Sequence, residues 1–303
     1  MPLIRANVQG DVATLDADLG GTLSAIPAGA PVIVLIHGYK FSPSGPTTPH
    51  EHILSLSPTS RCRKAISWPR HLGFGKSDPD EGLCIALGWE ARGTIWSARR
   101  AAIGAGQALA GLIDQIDRPV HIVAHSLGTR VALSALSEIR SGRIGRMVLL
   151  AAAEMQDAAQ AALGAPGARG IDVLNVTSRE NDLFDAAYET LVRPGSSVRT
   201  LGAGLPRPDP RWLDVQIDCP TTLDLLRDMG FVIGASDRRI CHWSAYLRPG
   251  LFKFYSAFLR EPARLPLALL ACHLPDQTER RWSRLIPRAR RIPPLPILRK
   301  PSF

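Results

Sequence analysis

The chain has 303 residues, 45% apolar and 21% charged, enough for a sizeable buried core and far from the composition of disordered chains. The net charge of +9 is no nucleic-acid footprint: eight basic side chains lie between Arg280 and Lys300, and the rest holds 28 basic against 27 acidic residues. No apolar run is long enough to span a bilayer, and five scattered cysteines without a C-x-x-C pair argue against structural zinc and a disulfide framework.

Met1-Pro2-Leu3-Ile4-Arg5 lacks the layout of a secretory leader, so a cytoplasmic protein is expected. Alternating patches at Leu3, Arg5 and Asn7 and at Val12 and Thr14 suit an edge strand or hairpin. Pro31 to Ile36 is a continuous β-branched and aliphatic run closed by His37-Gly38, as in a strand covered on both faces. A loop rich in Pro, Ser, Thr and Gly follows over 40–64, then a short strand-like piece at Ala65-Ile66-Ser67-Trp68. Ala98, Ala102, Ala105, Leu109, Ile113 and Ile116 step by three and four, predicting a helix that Pro119 stops. Strands are predicted at Val120–Ala124, Met147–Ala153 and Ile171–Thr177, with a buried helix over Thr129–Arg140 and a further helix over Leu183–Leu191. Repeated alternation of strand and helix predicts an α/β protein with a doubly wound, mostly parallel sheet.

The sharpest motif is Ala124-His125-Ser126-Leu127-Gly128 between a predicted strand and a predicted helix. It has the form of a nucleophile elbow, a tight turn that projects a serine from the carboxyl edge of the sheet and needs small residues on either side. A serine needs a base, and the base an orienting group. Carboxylates follow the Ile171–Thr177 strand, and Asp182 is chosen over Glu180 and Asp185, although a carboxylate there also serves as a helix cap. Of the histidines after the serine, His242 precedes a helix-like stretch and His273 falls near the tail, so His242 is the expected base. Backbone N–H groups of Tyr39 and Leu127 are the expected oxyanion donors.

His37-Gly38, the elbow, Asp182 and His242 together resemble the α/β-hydrolase superfamily over roughly residues 30–260. Ser67-Trp68-Pro69, the elbow run His125-Ser126-Leu127-Gly128-Thr129-Arg130 and Ser178 to Asp182 resemble bacterial serine-esterase-like proteins of undefined substrate. The resemblance implies Ser126 as nucleophile, Asp182 as orienting acid, His242 as base, and Tyr39 and Leu127 as oxyanion donors. It implies one hydrolase domain over 1–279 with insertions at about 40–64 and 183–240, the second cap-like, and a basic, Pro-rich tail over 280–303.

The expected activity is cleavage of a small-molecule carboxylic ester, thioester or amide, with no cofactor or metal. Acyl transfer by the same residues, or a non-catalytic binding role on the same fold, are the alternatives. Trp68 and Trp243 are candidate pocket walls or core residues. Gly73-Phe74-Gly75-Lys76-Ser77 lacks the first glycine of a phosphate loop, His50-Glu51-His52 is no metal motif, and Gly104-Ala105-Gly106 suits helix packing. The tail reads as an extended arm, with contact to an anionic membrane surface as the functional alternative.

Overall fold

The computed structural model describes residues 2–285, apart from 47, 237, 276 and 277. Strands β1 (Leu3–Gln9), β2 (Val12–Leu15), β3 (Val32–Ile36), β4 (Leu83–Gly88), β5 (Val120–His125), β6 (Ile144–Leu150), β7 (Asp172–Thr177) and β8 (Trp212–Gln216) form one sheet, in the order β2-β1-β4-β3-β5-β6-β7-β8. Every pairing is parallel except β1 with β2, so the expected doubly wound sheet is present.

The continuous apolarity of β3 follows from its place at the centre. Val32, Val34 and Ile36 face one layer, Ile33 and Leu35 the other, and all five are inaccessible to solvent. The first layer holds α1 (Leu19–Ser24), α3 (Ile95–Asp114), α4 (Gly128–Ala135) and α5 (Gln156–Leu163), with α6 (Asp182–Val192) joining at its edge through Tyr188. The second holds α2 (Trp68–His71), α7 (Pro220–Asp228), α8 (Ser244–Leu247), α9 (Leu251–Arg260) and α10 (Leu267–His273).

Three expectations change. Residues Ala65 to Trp68 are not a strand: Ser67 caps α2, its hydroxyl accepting from Arg70 N–H at 3.2 Å. The strand of this region is β4, a fully buried run between β1 and β3. The 183–240 stretch is not a separate cap, because it contains most of α6, all of β8 hydrogen-bonded along β7, and α7. The division at 279 and 280 is not where packing stops either. Arg281 lies against Glu189 at 2.8 Å, and Trp282 N–H donates to Asp182 Oδ2 at 2.6 Å. The tail beyond Leu285, with its membrane reading, lies outside the described residues.

Gly104 and Gly106 do serve packing in α3. A Cβ on Gly104 would meet the carbonyl of Gly10 at 2.7 Å, and one on Gly106 would meet Val131 O in α4 at 3.0 Å. Gly128 is tighter still: its Cβ would lie 2.5 Å from His37 O and 2.9 Å from Ile36 O, both rigid backbone of β3 and its exit. Gly111, in the same long helix as Gly104, has nothing within 4 Å. Gly128→Ala is therefore expected to destabilise the fold by about 1–3 kcal/mol, whereas Gly111→Ala stabilises it by about 0.5–1 kcal/mol. Urea unfolding of the two variants beside the wild type checks both signs.

Candidate active site

The elbow forms because β5 and α4 meet in a turn that no ordinary residue conformation supplies. Ser126 takes φ of 52°, in the left-handed region costly for a residue with a Cβ. Three backbone hydrogen bonds hold it there: Ser126 N–H to Leu150 O at 2.9 Å, Thr129 N–H to Ser126 O at 3.0 Å, and Ala153 N–H to Ser126 O at 3.1 Å. Gly38 passes so close that a Cβ would meet Ser126 Cβ at 2.8 Å. Glycine is thus required at 38 and 128, whereas position 124, inside β5, accommodates alanine.

His242 lies on the loop before α8. Cys241 N–H donates to Glu180 O at 2.9 Å, tying that loop to the chain leaving β7. The His242 ring stacks on Phe184 with centroids 4.8 Å apart and lies 4.8 Å from the ring of His125. Its Nε2 is 2.9 Å from Ser126 Oγ, and its Nδ1 is 2.6 Å from Asn181 Oδ1.

Asp182 does not reach His242. The neighbouring Asn181 takes the orienting position, and Asp182 faces the other way, its Oδ2 accepting from Trp282 N–H and its Oδ1 3.6 Å from Arg281 Nε. Successive residues at a helix start point about 100° apart, so only one of the two can face the imidazole. Asp182 is instead an acid in the first turn of α6, the helix-start role weighed against it in the sequence. Glu180 is buried with its carboxylate 3.5 Å from Arg284. Asp185 lies behind Asn181 and is also buried.

Burial pushes the His242 imidazole well below its ordinary pKa, with His125 and Lys64 adding to the shift, so the ring is neutral at physiological pH. An asparagine oxygen can only accept, which places the hydrogen of neutral His242 on Nδ1 and leaves Nε2 free to accept from Ser126.

His37 shapes the opposite wall. Trp89 N–H donates to His37 Nε2 at 3.0 Å, so Nδ1 carries the hydrogen and donates to Gly38 O at 2.9 Å. Burial holds this ring neutral by pushing its pKa down to about 3. A carbonyl and the N–H of the same trans peptide point in opposite directions. Fixing Gly38 O toward His37 therefore turns Tyr39 N–H away from it. Tyr39 N–H and Leu127 N–H have no protein acceptor among the described residues, and Leu127 N–H stands at the start of α4, where the helix favours negative charge.

Above Ser126 opens a cavity of about 620 Å³, with walls including Phe41, Ile53, Ile95, Trp96, Phe184, Tyr188, Leu191, Trp243 and Tyr246. Trp243 is thus a pocket wall, with Lys64 Nζ over its ring at 3.0 Å. Trp68 is not: it is fully buried beneath the cavity, edge-on to Tyr246 and His125. Phe41 and Ile53 come from the 40–64 loop, while α6 provides a whole wall.

Among the described residues no His, Cys, Asp and Glu cluster could hold a metal, and His50 instead meets Asn7 Oδ1 at 2.7 Å. Among them, too, no helix is long and apolar enough to cross a membrane.

Residues 33–284 match the model of the alpha/beta hydrolase family, and the chain belongs to that family. No curated protein matches it.

The hydrogen-bond arrangement has a direct spectroscopic signature. In ¹⁵N-histidine spectra at pH 7, His242 is expected to be neutral with its proton on Nδ1. Asn181→Ala should shift its ring resonances and Asp182→Asn should leave them in place; the reverse pattern would restore Asp182 to the orienting position.

Proposed function

We propose that this hydrolase-family protein is a serine hydrolase that cleaves carboxylic esters carrying an apolar group, with Ser126 as nucleophile, His242 as base and Asn181 as the residue that orients it. The observation that carries the reading is the chain Ser126 Oγ–His242 Nε2 at 2.9 Å and His242 Nδ1–Asn181 Oδ1 at 2.6 Å, at the floor of an apolar cavity. Thioesters and amides are cleaved by the same chemistry.

His242 Nε2 takes the Ser126 proton as Oγ bonds to the substrate carbonyl carbon. The carbonyl oxygen becomes negative and accepts hydrogen bonds from Tyr39 N–H and Leu127 N–H, neither of which has another partner among the described residues to give up. The tetrahedral species collapses, the ester C–O bond breaks, and the alcohol leaves with the proton held by His242. Water then enters, His242 removes its proton, and hydroxide attack on the acyl-serine releases the acid and restores the Ser126 hydroxyl. Asn181 offers the imidazolium a dipole rather than a charge, so it orients the ring more than it stabilises the ion.

The cavity favours an apolar substrate. Lys40 and Asp185 are the charged residues in its walls, and Asp185 is buried. Trp96 Nε1–H donates to Leu191 O at 3.0 Å, joining the start of α3 to the end of α6 across the rim. Both side chains are about half exposed, forming an apolar lip. Each methylene buried there contributes up to about 0.8 kcal/mol, roughly fourfold in kcat/KM.

Labelling by a fluorophosphonate probe is expected for the wild type and absent in Ser126→Ala, with kcat on p-nitrophenyl esters lowered about 10⁴-fold or more. An unlabelled, folded wild type would favour a binding role on the hydrolase fold. Along a p-nitrophenyl series from acetate to octanoate, kcat/KM should rise with chain length. Trp96→Ser should flatten that rise while leaving the acetate unchanged; a flat wild-type series would remove the apolar substrate class.

A further inference from the structure

Asn181 solves the orientation of His242 only if its own carboxamide is held one way round. The group carries an oxygen at one end and an NH₂ at the other, on the same plane. Oxygen toward His242 keeps the hydrogen on Nδ1, leaving Nε2 able to take the Ser126 proton. A half-turn of the amide would present NH₂ to Nδ1, move the imidazole hydrogen to Nε2 and make that nitrogen a donor to Ser126, useless as a base. A carboxylate in the same position has no such ambiguity. Something beside Asn181 must favour the productive orientation.

Asp185 occupies that place. It lies one turn along α6, on the same face as Asn181. It is 3% exposed and stands next to the side chains of Asn181 and Thr200, both of which favour its ionised form, while the Thr200 hydroxyl itself donates to Glu189 Oε1 at 3.1 Å. Its Oδ2 has no partner among the described residues. The carboxylate fills the space over Gly202, where any Cβ would collide with Oδ2 and would lie 2.7 Å from Cγ. Gly202 has no positive φ, so its missing side chain serves this contact and not the turn. Arg281, the cation that faces it, is engaged with Glu189 at 2.8 Å and with Asp182 at 3.6 Å. Among the described residues Asp185 is thus a buried carboxylate without an ion pair of its own, an arrangement that costs stability and marks it as a candidate for a functional role.

We propose that Asp185 is a positioning residue that, when ionised, accepts from Asn181 Nδ2 and thereby holds His242 in the tautomer able to deprotonate Ser126. The proposal rests on the Ser126–His242 reading for its consequence in catalysis, but the tautomer it sets is a property of the resting protein. An ionised carboxylate has no hydrogen to donate, so it selects the NH₂ end of the amide and sends the oxygen to His242. A protonated carboxyl group donates as well as accepts and loses that selectivity.

Burial pushes the Asp185 carboxyl up to about 7, Asp182 adding to the rise and Arg281, Thr200 and Asn181 opposing it. His242 itself is shifted well below 6.5. Kcat should therefore rise with pH through about 7 as Asp185 ionises, at a pH where the base is already neutral.

The test combines ¹⁵N-histidine spectra at pH 8 with the pH dependence of kcat on a p-nitrophenyl ester. Asp185→Asn should move a large share of His242 to the Nε2–H tautomer, lower kcat by about ten- to a hundredfold with KM within about threefold, and abolish the limb near pH 7. Its melting temperature at pH 8 should be no lower than that of the wild type, because a buried charge has been removed; a merely structural role would lower it. Gly202→Ala, which displaces the carboxylate without touching its chemistry, should give the same tautomer shift. Exchanging the two groups, Asn181→Asp with Asp185→Asn, should recover kcat to within about tenfold of the wild type. An unchanged tautomer in both Asp185→Asn and Gly202→Ala, or a double variant no better than Asp185→Asn alone, overturns the proposal. A tautomer shift in a protein that neither hydrolyses esters nor reacts with fluorophosphonate overturns the esterase reading and leaves the positioning role standing.

Discussion

The arrangement of the site depends on backbone contact between the ends of two neighbouring central strands. β3 and β5 run parallel and side by side, and at their carboxyl ends the chain leaves one as His37-Gly38 and the other as Ser126-Leu127-Gly128. The two exits touch through atoms that cannot rotate away: Gly128 against the Ile36 and His37 carbonyls, Gly38 against Ser126. Packing this close fixes the serine in its strained conformation and sets it on the same cavity wall as Tyr39 and Leu127, whose N–H groups have no protein acceptor among the described residues. Side chains then only need to be delivered to an edge already built, as His242 is by its loop before α8.

The second half of the site is held by charge. Glu180, Asp182, Glu189 and Asp218 cluster where the chain leaves β7 and β8, and Arg179, Arg281 and Arg284 answer them. Two of the eight basic residues that gave the C-terminal stretch its excess charge, Arg281 and Arg284, are therefore spent inside the fold. Asp182 belongs to this network, and through it the turn at 280–285 braces the segment that carries Asn181.

Much of this was legible in the amino-acid order. Period and apolarity located β3, β5, β6 and β7 and the α3 helix, because strands covered on both faces and a helix with one small-residue stripe leave strong patterns. The serine was legible because its turn demands particular neighbours. β4 escaped because Leu83-Cys84-Ile85-Ala86-Leu87 follows a loop and resembles any short buried run. β8 escaped because it is an edge strand between prolines, with Asp214 pointing to a partner, Asn175, that only the sheet register provides. Asn181 and Asp182 differ by one position and one atom type. Which of them meets the imidazole depends on how far the 3-10 turn Arg179–Asn181 winds before α6 begins, a rotation no residue pattern encodes.

The arginine clasp has a thermal consequence. Hydration of charged groups becomes less favourable as temperature rises, so removing these carboxylates and guanidinium groups from water grows less costly on heating, while the hydrophobic contribution per unit area levels off. The segment bearing Asn181 should accordingly hold its place relative to the rest of the domain as the protein is warmed, and the exposed apolar lip formed by Trp96 and Leu191, fastened by a single hydrogen bond to backbone, should loosen first.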